Sequence, residues 1–194
     1  LTYFSARHAL PRSWRATMND YVLDLNKVLS YNAILNFIIG ERGVGKTFSA
    51  KKFVINDFLK NGNQFVYLRR YKTELDIAME GFFSQLQEAG LFHECVFEIK
   101  TSKKAITKFL CNGEVIGFAM PMSTANILKS ASFEKVRTIV FDEFIIDKGT
   151  YHYLQNEVIQ FLDVIETVAR LRDIRVLLLG NAIQSQIRIL ISLI

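Results

Sequence analysis

Residues 40–47 read Gly40-Glu41-Arg42-Gly43-Val44-Gly45-Lys46-Thr47, the pattern G-x-x-x-x-G-K-[ST]. No other stretch constrains the fold of this chain so tightly. The glycines let the backbone turn sharply enough to aim several N–H groups inward around an anion. Lys46 then reaches the β- and γ-phosphates of a nucleotide, and the Thr47 hydroxyl is placed to ligate Mg²⁺. Such a loop belongs between a buried strand and a helix, and both flanks fit. Residues 34–39 are a short apolar run with β-branched members, which reads as a strand. After Thr47, Phe48, Ala50, Phe53, Val54, Ile55, Phe58 and Leu59 are interleaved with Lys51, Lys52, Asn56, Asp57 and Lys60. That spacing is an amphipathic helix, and Asn61-Gly62 ends it. The bland competitor, a glycine turn before an ordinary helix, does not require this context.

The remaining elements follow the same alternation. Residues 64–68 read as a second strand that runs into Arg69-Arg70-Tyr71-Lys72, and residues 82–90 as a short helix. Residues 95–99, 105–110 and 114–119 read as strands, the last two joined by the hairpin signal Cys111-Asn112-Gly113. Residues 138–141 are a buried strand running into Asp142-Glu143. Residues 154–172 read as a long amphipathic helix with Val158, Phe161, Leu162, Ile165, Val168 and Ala169 on one side. Residues 173–181 are a last central strand, ending at Asn181. The expectation is an α/β domain: a mostly parallel sheet with an antiparallel hairpin insertion at one edge.

Composition sets outer limits. The 194 residues suffice for one sizeable core. No apolar run approaches the roughly 18 residues a membrane span needs, so no membrane partner is expected. Cys95 and Cys111 lack metal-ligand spacing and read as reduced thiols of a cytosolic protein. Residues 1–17 differ from the rest: they carry Trp14, three arginines (Arg7, Arg12, Arg15) and no acid. They read as an added expression leader, with Met18 the native start and residues 18–194 the domain proper; a native basic arm is the alternative. Without that stretch the formal charge falls from +5 to +2. The basic balance is therefore weak support for nucleic-acid binding, which must rest on local clusters. The chain stops in the apolar run of residues 189–194, which suggests more protein downstream.

An apolar strand that delivers Asp142 at its carboxyl end is the second half of a nucleotide site, with Asp142 holding Mg²⁺ directly or through water. Adjacent strand residues point to opposite sides. Glu143 is thereby expected to face a water beside the γ-phosphate and to orient or deprotonate it. This pair favours hydrolysis over transfer to a small acceptor, since a kinase must exclude water behind a lid. A guanine-specific Asn-Lys-x-Asp stretch is missing: Asn181-Ala182-Ile183-Gln184 lacks the Lys and the Asp. ATP is the expected nucleotide. Asn181 either senses the γ-phosphate or positions the water, or else simply caps its strand. Ser30, Tyr31 and Asn32 are candidates for contacting adenine. A small-molecule nucleotide kinase, or a nucleotide-dependent DNA-binding protein that never turns ATP over, are the alternatives.

From about Lys27 to Asn181 the chain resembles the DNA-packaging ATPases of small short-tailed bacteriophages of the phi-twenty-nine group. The resemblance rests on Leu29-Ser30-Tyr31 leading to Ile34-Leu35-Asn36-Phe37, the Arg42-containing loop, Tyr67-Leu68-Arg69-Arg70-Tyr71-Lys72, residues 138–144 and Asn181-Ala182. It implies a ring-forming P-loop ATPase of the additional-strand, catalytic-glutamate class. In that class the strand ending at Asn181 lies between the strands ending at Gly40 and Asp142. It implies sites completed by the neighbouring subunit, with Arg170 as a trans-acting arginine finger and Lys129 as a second trans-acting cation. It implies that Lys72 faces the central channel and grips double-stranded DNA. Arg69 and Arg70 either join that contact, which needs phosphates and no base sequence, or fold back to the nucleotide. Thr101-Ser102-Lys103-Lys104 is a further possible DNA contact or a solvated loop. The implied setting is a homo-oligomeric ring, a pentamer, docked with portal and packaging RNA on a procapsid in the host cytoplasm. The family continues into a nuclease-like C-terminal domain, and residues 1–194 are expected to stop short of it.

Overall fold

The computed structural model describes residues 2–5 (backbone only), 23–101, 106–124, 132–146 and 152–182. In chain order the elements are β1 (Thr2–Ser5), α1 (Leu25–Leu29), β2 (Leu35–Gly40), α2 (Lys46–Asn61), β3 (Gln64–Arg69), α3 (Lys72–Met79), α4 (Ser84–Glu88), β4 (Phe97–Thr101), β5 (Thr107–Cys111), β6 (Glu114–Pro121), β7 (Val136–Asp142), α5 (Glu157–Ala169) and β8 (Arg175–Asn181). They build one sheet in the order β1-β2-β8-β7-β3-β6-β5-β4. Pairing is parallel from β1 through β6 and antiparallel at β6–β5 and β5–β4. β8 thus lies between β2 and β7, as the resemblance implied. Thr2–Ser5, within the stretch read as a leader, form the far edge strand beside β2.

Strand alternation sorts the core into two layers. Ile38, Phe65, Tyr67, Val140, Leu177 and Leu179 pack with Ala50, Val54 and Ile55 of α2 on one face. Val66, Leu68, Ile139, Phe141, Val176 and Leu178 pack with Val164 and Val168 of α5 on the other. The antiparallel edge is pinned by stacked rings: Phe82 lies 4.3 Å from Phe109, and Phe83 lies 4.2 Å from Phe97. The hairpin between β5 and β6 turns on Asn112 (φ 52°) and Gly113 (φ 83°), both left-handed, as its two-residue type requires.

Three expectations need correction. Helix α3 was not expected; it is capped by Tyr71, whose N–H is accepted by Glu74 Oε2 at 3.0 Å, and a tyrosine there is no recognised start signal. Helix α5 is shorter than residues 154–172 because Asn156 (φ 55°), Arg170 (φ 42°) and Leu171 (φ 68°) adopt left-handed backbone without glycine. Its buried side also differs in part: Val168 is buried as expected, but Val158 and Leu162 are exposed and Val164 points inward instead.

Candidate nucleotide site

Four strands deliver their ends to one place. Gly40 closes β2, and Gly43 (φ 83°) and Gly45 (φ 74°) provide the left-handed turns that lead into α2. Tyr67 and Arg69 share a face of β3 by alternation, Asp142 shares a face with Val140, and Asn181 with Leu179. All four therefore lie on the α2 side, above the start of that helix.

The contacts are specific. Lys46 Nζ donates to Gly40 O at 2.9 Å, Glu41 O at 2.7 Å and Asn181 Oδ1 at 3.2 Å. Burial pulls its pKa below the ordinary value, opposed by the charge of Asp142. Thr47 Oγ1 donates to Asp142 at 3.1 Å and 3.2 Å. Asp142 Oδ2 also accepts from Tyr67 Oη at 2.6 Å and Arg69 Nη2 at 3.2 Å. Burial, then the Asp142 carboxylate, push the Tyr67 phenol well above its ordinary pKa, so it remains a donor. Arg69 Nη1 pairs with Glu143 Oε2 at 2.5 Å. A cavity of about 340 Å³ opens between these groups, bounded by Arg42, Lys46, Gln85, Glu143 and Asn181.

Hydroxyl and carboxylate oxygens on Thr47 and Asp142 are the hard ligands Mg²⁺ takes, and two protein ligands suit an ion that keeps waters and shares substrate phosphates. Among the described residues no cluster of three or more His, Cys, Asp or Glu could hold another metal. The glycine turns and Lys46 fit an anionic phosphate chain, and the cavity reaches from them to Glu143. The arrangement can bind a nucleotide polyphosphate with its ion and present a carboxylate to a water.

Other expectations fare differently. Glu143 does not continue the strand: its φ is +55°, and its N–H donates to Asp142 Oδ1 at 3.1 Å. The opposite-sides argument therefore fails, and both carboxylates meet the same guanidinium. Arg69 folds back onto these acids with a side chain only 13% exposed, which removes it from a DNA contact. Arg70 is 1% exposed and paired with Glu157 at 2.7 Å, so it presents no charge to DNA either. Lys72, the first residue of α3, keeps a side chain 43% exposed and pairs with Asp76 one turn further along the helix. Arg170 caps α5 on the surface. Lys129 and residues 102–104 lie outside the described residues. Ser30, Tyr31 and Asn32 stand at the wrong end of β2 for adenine. Six residues of extended chain, about 20 Å, separate Ile34 from Gly40.

Sequence reasoning missed Tyr67, Gln85 and Lys51. Alternation with Arg69 was the available signal for Tyr67; Gln85 carries none. Lys51 Nζ lies 4.3 Å over the Phe82 ring. Burial, partly offset by Asp142, lowers its pKa to about 8.

Comparison with known proteins places the chain in one family. The family model described as "Podovirus DNA encapsidation protein (Gp16)" matches residues 19–190. The DNA packaging protein of Bacillus phage phi29 is 40% identical over 158 residues, which cover 81% of this chain and 45% of that protein. The chain thus spans about half the length of the curated relatives it matches. The crystal structure of the N-terminal domain of the DNA packaging ATPase from bacteriophage phi29 superposes with a TM-score of 0.71 at 38% identity, covering 84% of this chain and 80% of that one. The Phi-28 gp11 DNA packaging motor superposes with a TM-score of 0.71 at 26% identity, covering 90% and 53%.

Proposed function

Because the chain belongs to the podovirus DNA encapsidation protein (Gp16) family, we propose that it is an ATP-hydrolysing motor domain that drives double-stranded DNA into a procapsid. The observation that carries this reading is the convergence of Lys46, Thr47, Asp142, Glu143 and Asn181 on one cavity. The placement of β8 between β2 and β7 supports assignment to the additional-strand, catalytic-glutamate class of P-loop ATPases.

Backbone N–H groups of residues 40–47 cradle the phosphates, and Lys46 leaves its carbonyl partners to neutralise the β- and γ-oxygens. Thr47 and Asp142 would hold Mg²⁺, which would offset charge on the phosphates. Tyr67, donating to Oδ2, fixes the orientation of the Asp142 carboxylate beside Thr47. Glu143 takes a proton from the attacking water or orients it, and Asn181, already bonded to Lys46, reads the terminal phosphate. Arg170 and Lys129 serve the neighbouring subunit's site in a homo-oligomeric ring, where a cation at the developing charge is worth about 10³ to 10⁵ in rate. Lys72 contacts the DNA backbone. By family resemblance the portal and packaging RNA are further partners, at a procapsid in the host cytoplasm. The relatives' role in DNA packaging speaks for this reading over a small-molecule kinase.

Phosphate release by the full-length protein, measured with and without double-stranded DNA, tests the proposal. DNA-stimulated release is expected; phosphate appearing on a small acceptor, or no turnover, would overturn it. Mixing Arg170→Ala with Glu143→Gln subunits should restore part of the turnover, since each lacks a different half of a shared site.

A further inference from the structure

Arg70 is one of the largest fully buried side chains, yet it does not line the nucleotide cavity. Its Nε and Nη2 donate to the two carboxylate oxygens of Glu157 at 2.7 Å and 2.8 Å. Its remaining bonds go to main-chain carbonyls: Nη1 to Glu143 O at 3.2 Å and Nη2 to Phe144 O at 2.7 Å. The rings of Phe141 and Tyr153 flank the guanidinium at 5.5 Å and 5.0 Å. Glu157 opens α5, where the helix dipole favours an acid, and its carboxylate also accepts the Leu154 N–H at 2.8 Å.

The two carbonyls belong to a strained place. Glu143 sits at φ +55°, a conformation that a residue with a side chain keeps only when its surroundings hold it. Arg69 grips the Glu143 side chain and Arg70 the main chain behind it. The same guanidinium fixes the first residue of α5. That helix has 13 residues, spans about 20 Å and ends at Arg170.

We propose that Arg70 and Glu157 are positioning residues for hydrolysis: their buried pair holds the Glu143 main chain in its left-handed turn and ties it to α5, so that Glu143 and Arg170 are placed as one unit. This rests on Glu143 being the water-orienting group. Stability alone is a poor reason for the pair, because a buried ion pair is often replaced by apolar residues at no loss. That fact also supplies the test. The double variant Arg70→Met/Glu157→Leu keeps the volume apolar and removes the hold on the two carbonyls.

In the full-length protein the double variant is expected to bind ATP within threefold of wild type, to melt within a few degrees of it, and to hydrolyse at least tenfold more slowly. Hydrogen exchange at residues 143–146 should speed up while that of residues 40–47 stays the same. Turnover near the wild-type rate would overturn the proposal, and so would loss of ATP binding in step with turnover, the mark of a pair that merely holds the domain together. If the double variant fails to fold, Glu157→Gln is read by the same split. A wild-type protein that binds ATP without hydrolysing it would instead overturn the functional reading, and the exchange at residues 143–146 would still report whether the pair holds that turn.

Discussion

Arg69 Nη1 lies 2.5 Å from Glu143 Oε2. The other terminal nitrogen of the same guanidinium lies 3.2 Å from Asp142 Oδ2, so one fixed cation separates two adjacent acids. Arg69→Gln leaves those acids facing each other. Opening an ion pair that is buried on one side should cost about 3 kcal/mol of stability. Mg²⁺ alone should then raise the melting temperature of the variant more than that of wild type, because a divalent ion replaces the missing charge. Equal shifts in a thermal-melt series would count against this role.

Lys51 gives a pH signature. Its ammonium is buried, and its pKa falls from 10.5 to about 8 in the folded protein. Between those values the unfolded chain binds more protons, so this residue makes stability rise with pH across that window and weigh against folding below it. The depression corresponds to about 3 kcal/mol. Lys51→Met should therefore be more stable than wild type at pH 7, with the gap narrowing toward pH 10. Urea unfolding at both pH values measures it; a gap that stays constant or widens would contradict the assignment.

Gly180 marks a close approach between β8 and the segment after Glu143. A Cβ there would lie 2.8 Å from Phe144 Cε1 and 2.9 Å from Ile145 Cδ1. Gly180→Ala should destabilise the protein by about 1–3 kcal/mol through overpacking. Because the strain pushes on the turn that carries Glu143, turnover should fall further than ATP affinity, as steady-state kinetics and calorimetric titration can compare.

Lys72 is the cation of the Arg69–Lys72 cluster left on the surface. Lys72→Ala should weaken double-stranded DNA binding equally for unrelated sequences and lower the slope of log K against log salt by about 1. A sequence-dependent loss, or an unchanged slope, would remove Lys72 from the DNA contact.

The site was legible where residue type alone dictates backbone. Gly43, Gly45 and the Asn112-Gly113 turn announce left-handed geometry, and the strand and helix around residues 40–47 follow from hydrophobic period. It was illegible where tertiary contacts override local preference. Glu143, Asn156 and Arg170 take left-handed backbone that no local signal marks. Arg69 and Arg70 read as a basic surface cluster, but carboxylates distant in sequence, Asp142, Glu143 and Glu157, draw both inward. Val158 and Leu162 fit an amphipathic stripe as well as Val164 does; only the packing of α5 on β7 chooses between them.

The most direct measurement is ATP binding and ATP hydrolysis by Glu143→Gln in the full-length protein with double-stranded DNA present. The expected result is ATP affinity within a few-fold of wild type and turnover lower by about 10² to 10⁴, the range for loss of a general base. Hydrolysis at the wild-type rate would contradict the account, because Glu143 would then do no chemistry in the cavity it borders.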